Sequence, residues 1–176
     1  MLDGMEISQF TYFQQAGGIE LQPIYCELTH GLERITMFLG LEKSIYDIRW
    51  VATEKGGINY GQVRWQDEHE FSKYNFEVAD VDFLRRQLDG YENESRRCLA
   101  AGIVLPAYEC ALKCSHLFNL LDARGAVSVT ERVGVMKRVR DLAIACAKEY
   151  LASRERLGFP LLPKGPDTAA TEVARG

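Results

Sequence analysis

Met5-Glu6-Ile7-Ser8-Gln9-Phe10-Thr11-Tyr12-Phe13, followed by Gln15-Ala16-Gly17-Gly18 and then Ile19-Glu20-Leu21, carries the first decision about the fold. The first run alternates and is rich in β-branched and aromatic residues, which pack well on a pleated surface. The two glycines supply a flexible turn, so residues 5–29 are predicted to form an antiparallel hairpin. At Gly31 the spacing changes. Leu32, Ile35 and Leu39 recur at a helical interval before Gly40, which predicts a strand ending near Leu28, a junction at Thr29-His30-Gly31 and a short helix.

Working outward, residues 43–77 read as a connector. Ile45-Tyr46-Asp47-Ile48-Arg49-Trp50 fits a strand or a short turn equally, and Lys55-Gly56-Gly57 and Tyr60-Gly61 interrupt what surrounds them. Beyond them the pattern is helical. Asp80 is a candidate N-cap for a helix with Leu84, Leu88 and Tyr91 on one stripe. Pro106 suits the first turn of a second helix carrying Leu112, Leu117 and Leu121. Ser128-Val129-Thr130-Glu131 is a capping-box sequence, with Val135, Val139, Leu142, Cys146 and Tyr150 along the face that follows and Gly158 and Pro160 as stop signals. These helices predict a small bundle over residues 78–160. Residues 161–176, rich in Pro, Gly, Ala and Thr without periodicity, are expected to be a disordered tail. The fold class is therefore α+β: a hairpin plus helix in residues 1–42, a connector, and an α-helical domain.

Composition narrows the function. The 176 residues suffice for one compact core or two small ones, and 21 Lys and Arg against 25 Asp and Glu give a net charge of -4. That balance argues against a domain whose main task is to neutralise a nucleic-acid backbone. The five cysteines are odd in number and scattered through apolar patterns, as expected of reduced thiols in a cytoplasmic protein. The opening residues show no export signal, and no stretch approaches the roughly 18 apolar residues of a membrane span.

Most catalytic signatures are absent: no phosphate loop, dinucleotide fingerprint or Gly-x-Ser-x-Gly elbow occurs. Cys110, Cys114 and His116 lie close in sequence, but only the cysteines share a helix face, so core packing explains them better than a metal site. Glu6, Gln9, Thr11, Gln14 and Glu27 are threaded among Ile7, Phe10, Tyr12 and Phe13. On pattern alone, the solvated side of an antiparallel pair accounts for them. Glu33-Arg34 has the same ambiguity: a charged pair at the start of an exposed helix is common, but the dipole disfavours a cation there, and Arg34 makes more sense facing an anion such as a triphosphate.

Glu6-Ile7-Ser8-Gln9-Phe10-Thr11-Tyr12-Phe13-Gln14-Gln15 and Gly31-Leu32-Glu33-Arg34-Ile35 resemble the α subunit of the bacterial heterotetrameric glycyl-tRNA synthetase, the second block being similar to the third signature motif of class II synthetases. The likeness continues through Tyr74-Asn75-Phe76-Glu77, Asp80-Val81-Asp82-Phe83-Leu84, Phe118-Asn119-Leu120-Leu121-Asp122-Ala123-Arg124 and Ser128-Val129-Thr130-Glu131-Arg132 to Gly158-Phe159-Pro160. It implies that residues 1–42 are the C-terminal part of a class II catalytic domain, with a partial antiparallel sheet. The activity implied is the conversion of glycine and ATP, with Mg²⁺, to glycyl-adenylate and transfer of glycine to tRNA-Gly. A β subunit would supply most of the tRNA recognition, and the α subunit would form a homodimer. By the same resemblance Arg34 contacts the ATP phosphates, Glu27 accepts from the glycine ammonium, and Glu6 lines the pocket and excludes larger side chains. Gln9, Thr11 and Gln14 add polar lining, and Glu33 has a metal or structural role.

The chain also departs from the family pattern. His30 stands where Tyr is usual, Cys26 where Gly is common, and Gln62 and Trp65 interrupt the connector. The first two signature motifs of the family lie upstream of the residue matching Gly4, which leads us to expect a ligase-derived chain that cannot aminoacylate alone. Two other roles are compatible with the residues: a noncatalytic helical module that binds a β-type subunit or self-associates, and a poorly folded remnant with an open sheet edge.

Overall fold

A computed structural model describes residues 1–54 and 56–162. The elements run β1 (Ser8–Ala16), β2 (Ile19–His30), α1 (Leu32–Gly40), a 3₁₀ turn (Ile45–Asp47), β3 (Arg49–Thr53), β4 (Gly56–Asn59), α2 (Tyr60–Lys73), a π-helical turn (Tyr74–Val78), α3 (Val81–Ala100), α4 (Val104–Ala123) and α5 (Val129–Arg156). The chain is thus α+β, with β1 and β2 forming one antiparallel ribbon and β3 and β4 another. The expected tail at 161–176 lies, from residue 163 on, outside the described residues.

The register of the first ribbon pairs Ser8 with His30, Gln9 with Thr29, Phe10 with Leu28, Thr11 with Glu27, Tyr12 with Cys26 and Phe13 with Tyr25. Because side chains alternate, Gln9, Thr11, Glu27 and Thr29 share one face, while Phe10, Tyr12, Cys26 and Leu28 share the other. Phe10 and Tyr12 stack on that second face at 6.1 Å between ring centroids. The register shifts between Phe13 and Gln15, near Pro23, which has no N–H to give a ladder. Gly17 and Gly18 close the ribbon with φ of 57° and 76°, the left-handed pair that a tight hairpin turn requires. No residue of β1 or β2 is buried.

The core lies in the bundle. Leu84 and Leu88 of α3, Ala107, Ala111, Cys114, Leu117, Phe118 and Leu121 of α4, and Val135, Leu142 and Cys146 of α5 form one buried cluster. Small residues at Ala107 and Ala111 let α3 approach α4 closely, and the buried Ser95 hydroxyl donates to the Ala107 carbonyl at 2.8 Å. Arginines tie the helices at their solvent edges. Arg85 of α3 donates to Glu131 and to the Ala126 carbonyl, both at 2.6 Å. Arg138 of α5 donates to Glu92 and Asp89 of α3, also at 2.6 Å. Arg124 grips the joint ahead of α3, donating to the Phe76 carbonyl at 2.6 Å and the Ala79 carbonyl at 3.0 Å.

Several expectations need correction. The connector contains a helix, α2, which no periodicity announced because none of its residues is buried and polar groups occupy every side. On α1, Leu32 and Leu39 are exposed and Met37 is the buried residue. Leu112 and Tyr150 likewise face solvent. Strand β2 continues past Leu28 to His30. The Ser128 hydroxyl accepts from the Glu131 N–H at 3.2 Å, but the Glu131 carboxylate turns to Arg85, because an ionised guanidinium is a stronger donor than a backbone N–H. Asp80 caps α3 as read, its carboxylate accepting from the Phe83 N–H at 2.5 Å.

Two stability predictions follow from this packing. Leu142→Ala, at a position 1% exposed, is expected to cost about 2–5 kcal/mol in urea unfolding followed by helical circular dichroism. Burial works to raise the Glu92 carboxyl, but hydrogen bonds from Arg138 and Arg96 outweigh it and hold the group below its ordinary value of 4.5. A depressed carboxylate contributes stability that is complete above the ordinary value and is lost as pH falls through the lower folded one. Arg138→Gln should therefore cost about 1 kcal/mol at pH 7, since both side chains are partly solvated, and reduce the acid sensitivity of unfolding between about pH 5 and 3.

Candidate functional site

The open end of the first ribbon, where β2 hands over to α1, forms a recess. The Gly31 N–H donates to the Ile7 carbonyl at 2.9 Å, which starts α1 beside the residues preceding β1. Within the first turn of the helix, Arg34 reaches back: its guanidinium donates to the Glu6 carbonyl at 2.7 Å and lies 3.9 Å from the Glu6 carboxylate. A cation in the first turn is disfavoured by the helix dipole, and Glu6 supplies the compensating negative groups. The recess encloses about 160 Å³ and is lined by Glu6, Gln9, Thr29, His30 and Arg34 together with Ser8. The His30 Nδ1 and the Ser8 hydroxyl are hydrogen-bonded at 3.0 Å across the last ribbon pair.

The expected site residues divide by distance from this recess. Glu6, Gln9 and Arg34 line it together. Glu27 lies one step along the same ribbon face, opposite Thr11, and is joined to the recess by Thr29, whose hydroxyl donates to the Glu27 carboxylate at 2.6 Å. Gln14 is not brought there, since it lines a separate hollow near the turn with Gln15, Glu20 and Gln22. Glu33 is exposed in the first turn of α1, where an acidic side chain suits the dipole.

Thr29 is a recess residue that the sequence reading passed over. Its signal was strand parity, for any residue two positions from Glu27 in a strand shares its face. An ionised carboxylate only accepts, so the Thr29 proton is committed to Glu27 and the hydroxyl oxygen keeps its lone pairs for another donor. Glu27 and Thr29 together form a surface that accepts hydrogen bonds, and Arg34 one that donates them. Such a pairing suits a small ligand carrying an ammonium group at one end and an anion at the other. The recess is open to solvent, with room at its floor for a small polar group.

Of the grouped residues Cys114 packs in the core, while Cys110 is half-buried. Cys114 is buried, its thiol 3.7 Å from the Leu88 carbonyl, and burial pushes its pKa up to about 11, which opposes a metal-binding thiolate. His116 is exposed, and among the described residues no group of three or more His, Cys, Asp or Glu is placed to hold a metal ion. No helix among the described residues is long and apolar enough to cross a membrane.

The family model for the glycyl-tRNA synthetase alpha subunit matches residues 1–155, a span that includes the ribbon, the recess and the helices through nearly all of α5. Members of that family are glycine–tRNA ligases of protein biosynthesis, and an α subunit works in partnership with a β subunit. The recess residues and the helical bundle therefore belong to one continuous match, and the chain is a member of the glycyl-tRNA synthetase α-subunit family.

Proposed function

We propose that the recess at the ribbon's open end is one wall of the site in which glycine and ATP·Mg²⁺ become glycyl-adenylate, in a class II catalytic domain. The observation that carries this reading is the convergence of Glu6 and Arg34 in one recess, with Glu27 attached through Thr29. Carboxylate and hydroxyl acceptors would hold the glycine ammonium. The Arg34 guanidinium has five N–H donors in a planar fork, and the Glu6 carbonyl engages one amine group of it. The rest of the fork can meet phosphate oxygens and the charge that develops when the carboxylate attacks. Glu6, with Gln9 and Thr11, would narrow the pocket so that a larger side chain overlaps with protein, a stronger discrimination than a missing methyl gives. Mg²⁺ would arrive with the nucleotide.

In this reading the β subunit carries most of the recognition of tRNA-Gly, a division that suits a chain of net charge -4, and the enzyme is a cytoplasmic assembly containing an α homodimer. Arg34 is the only guanidinium among the described residues lining the recess, so the chain by itself is expected not to form the adenylate. A second reading, a helical module whose role is to bind the β subunit, draws support from the concentration of the buried core in α3–α5.

Glycine-dependent pyrophosphate exchange separates these readings. The chain alone is expected to show none, and robust exchange by it would contradict the single-wall reading. In an active assembly containing this chain, Arg34→Ala should lower kcat/KM by about 10²–10³. Glu27→Gln should raise the KM for glycine about tenfold while that for ATP stays unchanged. Undiminished exchange in both variants, with β subunit still co-purifying in the absence of ATP and glycine, would favour the helical module.

A further inference from the structure

The far end of the ribbon, opposite the recess, makes a contact for which the ligase reading assigns no role. A Cβ placed on Gly17 would lie 2.5 Å from the Ala147 Cβ of α5, 3.6 Å from the Ala143 carbonyl oxygen and 3.7 Å from the Ile144 Cα. Two heavy atoms of this kind do not approach to 2.5 Å, so the turn sits on α5 as closely as its backbone allows. Gly18, the next residue of the same turn, has nothing within 4 Å of its Cβ position.

Turn chemistry admits a glycine at 17 but does not demand one. The two residues have φ of 57° and 76°, and in a turn of that kind asparagine is a preferred first residue because it tolerates the left-handed region. What excludes a side chain at 17 is helix α5. Beside the contact lies a cleft of about 400 Å³, walled by Ala16 and Gly17 on the ribbon and by Leu105, Tyr108, Cys146 and Tyr150 on α4 and α5. Cys146 at that wall is 3% exposed. The ribbon has no buried residue of its own, so its attitude to the bundle depends on such attachments. At the chain joint, Arg124 fixes the carbonyls of Phe76 and Ala79.

We propose that the Gly17-Gly18 turn is a latch seated on α5, with Gly17 and Ala147 setting its spacing, and that the seated turn holds the ribbon to the bundle and closes one side of the apolar cleft over Cys146. This inference does not depend on what the recess binds. Unseating the turn opens the cleft and admits small reagents to Cys146, whereas substitutions that keep the turn conformation and do not meet α5 leave it closed.

Site-resolved alkylation of the full chain by N-ethylmaleimide, read by mass spectrometry, tests the latch. Gly17→Asn keeps a left-handed backbone but collides with Ala147, and is expected to raise the Cys146 rate on the order of fivefold through local opening. Gly18→Asn, with open space at its Cβ, is expected to leave that rate unchanged, and adding Ala147→Gly to Gly17→Asn should return it toward the original. An unchanged Cys146 rate in Gly17→Asn would overturn the latch, as would an equal rise in Gly18→Asn. A parallel rise at Cys114, which is buried in the bundle away from the cleft wall, would place the opening in the bundle itself and overturn it too.

Discussion

A two-stranded ribbon has no interior, and that constraint governs the front half of this protein. Both faces of β1–β2 meet solvent, with Phe10 64% and Leu28 62% exposed, so hydrophobic burial does not hold the strands in place. The backbone ladder joins the two strands, and directed contacts at the ends place them: the Gly31 N–H on Ile7 and Arg34 on Glu6 seat α1 against one end, and Gly17 approaches α5 closely at the other. The bundle, by contrast, is held by a continuous buried cluster across α3, α4 and α5 and by arginines that tie their edges. Cohesion and candidate chemistry thus lie in different parts of the chain.

The same contacts that position the ribbon also prepare the recess. Arg34 is drawn against the polarity of its own helix by the Glu6 carbonyl and carboxylate, and that backbone anchor limits the freedom of a long side chain. On the neighbouring ribbon face the Thr29 hydroxyl fixes the direction of the Glu27 carboxylate. Both side chains are therefore oriented by contacts within the protein itself.

The sequence was most legible where local rules and tertiary packing agree. Asp80 reads as an N-cap and is one, Leu84 and Leu88 read as a stripe and are buried, and Gly158 follows the end of α5 with φ of 66°. It was least legible where partners distant in sequence decide the outcome. Glu131 leaves the expected capping box for Arg85, α2 has no apolar face to announce it, and Gly17 answers to α5 as well as to its turn, which only the fold reveals. At the site, alternation places Gln9, Thr11, Glu27 and Thr29 on one face once the register is known, and the register is set by pairing that no single strand reveals. Gln14 falls outside that face on alternation alone, since its parity is that of Phe10 and Tyr12.

A glycyl-adenylate analogue bearing a sulfamate in place of the phosphate, titrated into the isotope-labelled chain together with the β subunit and followed by NMR, addresses the central claim most directly. Shifts centred on Glu6, Gln9, Glu27, Thr29 and Arg34, with little change in α3–α5, are the expected result. Saturable binding whose shifts lie elsewhere, with these residues unmoved, would contradict a shared glycine and adenylate wall.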